Sequence, residues 1–515
     1  TGFSSANDVT VTVGETFASL NQNAQVIANV GNGVVTSGGN VVADNTGFGE
    51  AVTGVVSLDG GFFNNTNVNS LEYYGAGLSD PVSGNFVTGA ESDNSAVLTL
   101  TDFIGASNTN DADVGSTIAV SATSGGNLIE QNTGAGLVDT GVVEGSLNTD
   151  NVVNTNYLAL EADGGGFDIS ALNDTTGYLS VNDAIVSVDS IIGAANTNSA
   201  DIVNDIFGVF SSGGNVVSDN TGPADVLTGG TYGSTSVSNE VNSNSTEISA
   251  GVGASDVFAG NSVTGAESDN VAEVDVTQSI GVSNTNDTDI DNTVTTVSSS
   301  GGNEVSGNTG SVYLETGDAE NDTCITNSGS ENSTVIDVGS GGGTVSASND
   351  TTGYNSTNTA TASSTTAVGA SNVNTTDVSN DVVSTAITGG NVVSNNGGGG
   401  VSEVVTGSAS NTTNISNDVN SNVTDISVSG GTDVSASNSV TGADSTNTST
   451  ATVTNSVGVS NTNTSNISNT VTTVSSSGGN EVSGNTGGGA VTTGGASLSF
   501  GVTNTGNSNT TTVSE

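Results

Sequence analysis

The chain has 515 residues with no Lys, Arg or His, and 53 Asp and Glu give a formal charge of −53 at pH 7. Nucleic-acid binding rests on neutralising phosphates with basic side chains, so this composition excludes it; salt bridges, cation–π contacts, arginine clamps and His or Lys catalysis go with it. Only 10% of residues are charged and 32% are hydrophobic, and the apolar ones recur at fixed positions, unlike a disordered polyanion.

Gly, Ser, Thr, Asn and β-branched Val dominate, and helix formers are scarce, so the chain reads as all-β. The sequence starts at Thr1 and has no Met, so either an N-terminal segment has been removed or the chain is part of something longer; a cleaved secretion signal fits the first reading, and we expect the cell surface or the extracellular space. No apolar run reaches the length of a membrane span, so no membrane insertion is expected. The one cysteine, Cys324, cannot form an internal disulfide and reads as a small apolar filler.

Repeats run from the first residues onward. Thr1 and Gly2 recur as Thr88 and Gly89, Thr176 and Gly177, Thr264 and Gly265, Thr352 and Gly353, and Thr441 and Gly442. Leu20 to Asn23 is a degenerate first copy of a Ser-Asn-Thr-Asn segment returning at 107–110, 195–198, 283–286, 371–374 and 460–463. Gly38-Gly39-Asn40 returns at 125–127, 213–215, 301–303, 389–391 and 478–480. The period is about 88 residues, giving six repeats at 1–87, 88–175, 176–263, 264–351, 352–440 and 441–515, the last truncated.

Within a repeat, Asn108, Asn132, Asn151 and Asn173 stand roughly 22 residues apart, a spacing that suits one turn of a solenoid. The expected fold is therefore one elongated parallel β-helix with about 22 residues per rung and four rungs per repeat. At the usual strand spacing it would be a rod about 110 Å long.

The residue two after each Gly-Gly-Asn is Val42, Ile129, Val217, Val305, Val393 or Val482, always apolar and expected in the core. Its neighbour (Val41, Leu128, Val216, Glu304, Val392, Glu481) admits Glu and should face solvent, as strand alternation requires. Further inward columns are Ile118, Ile206, Val294, Val382 and Val471, and Phe17, Ile104, Ile192, Ile280, Val368 and Val457. A Gly follows most members of the last column (Gly105, Gly193, Gly281, Gly369, Gly458), which suggests a bend or close approach. Asn tolerates left-handed backbone angles, and stacked amides can bond along a rod. Asn108, Asn196, Asn284, Asn372 and Asn461 are accordingly assigned to a turn ladder.

The acidic pairs Asp111/Asp113 and Asp287/Asp289 would lie about 40 Å apart in such a rod, far beyond a Debye length of about 8 Å. Oxygen-rich Asp-x-Asp segments suit Ca²⁺, but the ligand set is not kept from repeat to repeat, and a solvated acidic face is the preferred reading. No cofactor is expected. Asn-x-Ser/Thr segments, among them Asn286, Asn374, Asn414 and Asn463, mark glycan acceptors in a secreted chain. Thr-x-Thr pairs such as Thr10/Thr12 do not recur rung by rung, which argues against an ice-binding ladder.

The runs Gly-Gly-Asn-Glu-Val-Ser-Gly-Asn-Thr-Gly at 301–310 and 478–487 and the Ser-Asn-Thr-Asn segments resemble low-complexity parallel β-helix repeat proteins of bacterial surfaces, the adhesin-type rods and filaments. That resemblance implies a surface structural role and brings no catalytic residue; the lack of Lys and Arg departs from most such proteins. The expected function is a non-enzymatic subunit of an extracellular or cell-surface fibre whose partners are copies of itself, with glycans as further partners. The alternatives are a monomeric adhesin stalk and a carboxylate-only polysaccharide hydrolase, which needs just two acids.

Overall fold

The computed structural model describes residues 2–76, 80–163, 168–252, 256–340, 343–429 and 432–514. Among them there is no helix. Five kinds of strand follow one another in each turn of the chain and stack into five parallel sheets.

The first sheet holds β1 (Ala6–Thr36), β6 (Asp93–Thr123), β11 (Val181–Ser211), β16 (Asp269–Ser299), β21 (Thr357–Ile387) and β26 (Thr446–Ser476). The second holds the short β2 (Val41–Ala43), β7 (Leu128–Glu130), β12 (Val216–Ser218), β17 (Glu304–Ser306), β22 (Val392–Ser394) and β27 (Glu481–Ser483). The third has β3 (Gly49–Val52), β8 (Gly136–Asp139), β13 (Ala224–Thr228), β18 (Val312–Thr316), β23 (Ser402–Thr406) and β28 (Gly489–Thr492). The fourth has β4 (Val56–Ala76), β9 (Val143–Asp163), β14 (Thr231–Val252), β19 (Ala319–Ser340), β24 (Ala409–Val428) and β29 (Ala496–Ser514). The fifth has only five strands, β5 (Val82–Phe86), β10 (Ile169–Asp174), β15 (Val257–Ser262), β20 (Thr344–Asp350) and β25 (Asp433–Ser439).

The parallel β-helix is therefore present, but its turn is not 22 residues long. Asp93 pairs with Val181, Val181 with Asp269 and Asp269 with Thr357, so one coil consumes the whole repeat. The residues 22 apart lie in different sheets of one coil: Asn108 in β6, Asn132 after β7, Asn151 in β9 and Asn173 in β10. Six stacked coils are about 29 Å tall, whereas each 31-residue strand of the first sheet runs about 100 Å. The molecule is a broad slab, wider than it is tall, and not a 110 Å rod.

Each coil is flattened. The first sheet forms one wall, the fourth and fifth sheets form the other, and the second and third turn the end. The apolar clusters follow this plan. Leu98, Val186 and Val274 pack on Ile169 and Val257 of the fifth sheet, Ile104, Ile192 and Ile280 on Leu160, Ile248 and Ile336 of the fourth, and Ile129 and Val217 on Val138 and Val226 at the turning end. Alternation buries every second side chain of β6 except Asp102, which is half-buried, as a two-walled coil requires.

The expected core column is inside: Ile129, Val217, Val305 and Val393 are fully buried, and Val42 and Val482 of the end coils are partly buried against them. Val41, Glu304 and Glu481 face solvent as expected. The Gly-Gly-Asn corners need both glycines. A Cβ on Gly213 would lie 1.9 Å from the Gly301 carbonyl oxygen, and Gly214 has φ +73. By contrast, a Cβ on Gly193 or Gly281 would meet nothing within 4 Å. That Gly column lies within straight strands and lines a shallow open groove on the outer face, so neither a bend nor a close approach explains it.

Candidate functional site: asparagine ladders and open coil edges

The interior between the two walls is not continuously apolar. Asn108, Asn196, Asn284 and Asn372 lie mid-strand, point inward and are fully shielded from solvent; Asn461 of the last coil is half-buried. They form a ladder, as expected, but not at a turn: the inward parity of the long strands carries them between the walls. Asn108 Nδ2 donates to Asn196 Oδ1 at 3.0 Å, Asn196 to Asn284 at 3.0 Å, Asn284 to Asn372 at 3.0 Å and Asn372 to Asn461 at 2.9 Å.

Two residues on, a second ladder zips the walls together. Asn23 donates to Asn69 at 2.7 Å, Asn69 to Asn110 at 2.8 Å, Asn110 to Asn156 at 2.9 Å and Asn156 to Asn198 at 2.7 Å, alternating between first and fourth sheets up the stack. These cross-wall seams had no signature in the sequence, because the two columns are more than forty positions apart. True corner ladders also exist, at Asn40, Asn127, Asn215, Asn303, Asn391 and Asn480. Left-handed Asn occurs at a bulge in the fourth sheet, at Asn67, Asn154, Asn242, Asn420 and Asn507.

Buried amides are stable only when satisfied, and here each lost water is replaced by an amide above and below. The ladders are also directional. Asn40 N–H donates to Asn127 Oδ1 and Asn127 N–H to Asn215 Oδ1, each at 3.1 Å. A backbone N–H can only donate, so these contacts fix Oδ1 as the acceptor facing the preceding coil. Along each ladder an Nδ2 then donates to the Oδ1 of the following coil, whatever other carbonyls it also reaches. At the first coil this leaves the Oδ1 atoms of Asn7, Asn21, Asn23, Asn29, Asn40 and Asn45 accepting no hydrogen bond among the described residues. At the last coil, Nδ2 of Asn504 and Asn507 donates to nothing described, while Oδ1 of each accepts from the coil before.

Backbone edges match this polarity. In parallel sheets alternate residues bond to each neighbour. Asp93 N–H donates back to Ser5, and Ser37 N–H donates forward to Thr123. Outward residues of β1 therefore turn their peptide groups to the open edge, and in β26 the inward residues do so. β1 and β26 are the two edge strands of the first sheet.

The acidic pairs are corrected by the coil length. Asp113, Asp201, Asp289 and Asp377 stand in consecutive coils of one column, about 4.8 Å from one to the next, so the pairs Asp111/Asp113 and Asp287/Asp289, two coils apart, are separated by about 10 Å rather than about 40 Å. Partial burial, then Asp201, Asp377, Asp291 and Asp287, raise the Asp289 carboxyl above its ordinary range. Glu15 and Asp102 form an inward-facing neighbouring pair; Tyr73 O–H donates to Glu15 Oε1 at 3.4 Å, and burial followed by Glu15 raises Asp102. Among the described residues no three Asp, Glu, Cys or His side chains are arranged to hold a metal ion.

The sequons divide. Asn286 and Asn374 are fully buried ladder members, which closes them to a glycan in the folded chain, and Asn463 donates to Asn509 at 2.9 Å. Asn414 alone of the four points outward into solvent. Cys324 is exposed on the outer face of β19 and is not a core filler. No protein-family model, no curated protein and no solved structure matches this chain.

Proposed function

We propose that this chain is a structural subunit of an extracellular or cell-surface fibre, without catalytic activity, and that copies add end to end with the last coil of one on the first coil of the next. The observation that carries this reading is the one-way polarity of the ladders. The first coil ends in unused acceptors and the last in unused donors, so unlike ends complement each other. Two first coils would set acceptor against acceptor.

Composition supports the same junction. Following the columns through, Asn447, Asn461, Asn463 and Asn469 would meet Asn7, Asn21, Asn23 and Asn29 of the next copy. Asp444 and Glu481 are the only acids between residues 440 and 514, so Asp8, Glu15, Glu50, Asp59 and Glu72 of the next copy would face Thr448, Asn455, Ala490, Ser499 and Thr512. Unlike ends that do not close into a ring generate open filaments, and unpaired strand edges supply the hydrogen bonds.

The test uses two edge-blocked variants. Thr12→Pro removes an N–H that faces the open edge of β1, and Val459→Pro does the same on β26; Pro is tolerated at such edges. The wild-type chain should give fibres in electron micrographs, with an axial rise of about 29 Å per copy. Each variant alone should stay monomeric by light scattering, and an equimolar mixture should form dimers. A monomeric wild type overturns the fibre and leaves the stalk reading; variants that each dimerise alone overturn the polarity.

A further inference from the structure

The chain passes from the fifth sheet to the first through a corner that is built alike in successive coils. Its Thr and Ser are buried and pinned: Ser180 Oγ donates to the Gly177 carbonyl at 2.8 Å with Thr176 Oγ1 3.2 Å away, and Ser268 repeats these contacts with Gly265 and Thr264. The residue after the Gly escapes these constraints. Its column reads Phe3, Ala90, Tyr178, Ala266, Tyr354, Ala443. Glu91 N–H donates to the Tyr178 carbonyl at 2.7 Å, Leu179 N–H to Ala266 at 3.0 Å and Glu267 N–H to Tyr354 at 2.8 Å. The residue that follows has φ of 55 to 59 whether an Ala or a ring precedes it. The corner therefore folds as well around Ala, and the rings of Phe3, Tyr178 and Tyr354 are exposed. They stand in every second coil, about 10 Å from one to the next.

Two further features keep the two-coil beat. An acid follows each Ala (Glu91, Glu267, Asp444) and none follows a ring. Tyr178 O–H donates to Glu267 Oε2 at 2.8 Å, so the ring lies along the stack, beside Ala266. In the Ala coils the corner is entered through Val87, Val263 and Val440, exposed and at φ 55, 49 and 47. Strain kept at one surface position in alternate coils marks use rather than stability.

We propose that this corner binds a neutral β-1,4-linked glycan, a chain of glucose or N-acetylglucosamine, laid along the stack with the apolar face of every second sugar on Phe3, Tyr178 and Tyr354. This proposal does not depend on the fibre. Three observations define the ligand. The first is the period: an extended β-1,4-linked chain is a flat ribbon whose alternate sugars turn over, and its disaccharide repeat has the length of two coils. The second is width. A single file of rings is too narrow for the interface a protein partner needs, while Tyr offers a sugar an apolar face and a polar tip. The third is charge. The carboxylates between the rings only accept hydrogen bonds, and the chain has no Lys or Arg to occupy them. Sugar hydroxyls supply the donors, and a charge of −53 repels an anionic glycan.

The experiment titrates the purified chain, by calorimetry, with the β-1,4-linked hexamers of glucose and of N-acetylglucosamine in separate arms; whichever binds names the sugar. Two control hexamers are α-1,4-linked glucose, which coils with a different repeat, and β-1,4-linked mannuronate, the same ribbon carrying a carboxylate on each sugar. Tyr354→Ala removes one ring. The double variant Tyr178→Ala with Ala266→Tyr keeps the number of rings and moves the middle one by a single coil. Both variants use residues that the corner already carries in neighbouring coils, and circular dichroism checks that they fold. Saturable binding of a β-linked neutral hexamer, weakened about tenfold by either variant, the worth of covering a half-exposed aromatic side chain, supports the proposal. No saturation by either up to about 1 mM, equal binding of either control, or binding indifferent to both variants overturns it. Loss in Tyr354→Ala with none in the double variant also overturns it, because the spacing would then carry nothing.

Discussion

Replacing Asn284 by Ala tests whether the buried ladders hold the coils together. Asn284 accepts from Asn196 Nδ2 and Thr246 Oγ1, both at 3.0 Å, and donates to Thr334 Oγ1 at 2.9 Å and Asn372 Oδ1 at 3.0 Å. The losses are unequal. Thr334 still donates to Asn372 at 3.0 Å, so both keep a partner. On the other side, one N–H of Asn196 and the hydroxyl proton of Thr246 have no acceptor left. Two buried orphan donors cost about 1–3 kcal/mol each, so the variant should lose about 2–6 kcal/mol. Asn461→Ala orphans the equivalent groups of Asn372 and Thr424 beside the open edge, where water replaces the acceptor, and should cost under about 1 kcal/mol. A stack of repeats opens locally, so the assay is native-state hydrogen exchange resolved by mass spectrometry. Exchange in the Asn284→Ala variant should accelerate most around Asn196 and Thr246, and less around Asn372. Equal effects of the two variants, or a change confined to the Asn372 side, would refute the reasoning.

Three further outcomes are expected. Phe210, fully buried, is housed by glycines, and a Cβ on Gly145 would lie 1.9 Å from its ring; Gly145→Ala should lower the melting temperature by an overpacking cost of about 1–3 kcal/mol, and Phe210→Leu in the same chain should recover part of it. Burial and like-charged neighbours raise Asp102, Asp183 and Asp289, so the folded chain takes up these protons before the unfolded chain does. Stability should therefore rise as pH falls from neutral through the raised values, with a shallower rise in Asp289→Asn; melting temperatures that fall on mild acidification would contradict this. Val263 is β-branched, half-exposed and at φ 49, a conformation that Asn adopts with less strain; Val263→Asn should stabilise the fold by about 1 kcal/mol, read as a higher midpoint of thermal unfolding, and a lower midpoint would count against strain there.

Alternation and recurrence were legible along the chain. Val217 and Val305 are inward and Glu304 outward because a strand changes face at every residue, whatever the chain does later. The recurrence of Asn108, Asn196 and Asn284 announced a ladder for the same local reason. The length of a coil was not legible. Asn108, Asn132, Asn151 and Asn173 repeat a residue type at intervals that mimic a short turn, and spacing alone does not say which backbone groups pair.

Only closure of the coil decides that. A 31-residue wall needs the fourth and fifth sheets together to cover it, so the chain returns to its own starting point after a whole repeat. That return distance set everything the sequence misplaced. It brought Asp113, Asp201, Asp289 and Asp377 into neighbouring coils and closed a second wall over Asn286 and Asn374; Cys324 faces outward by the parity of its own strand. In this protein local order belongs to the sequence, and the long-range pairing that gives it polarity belongs to the hydrogen-bonded stack.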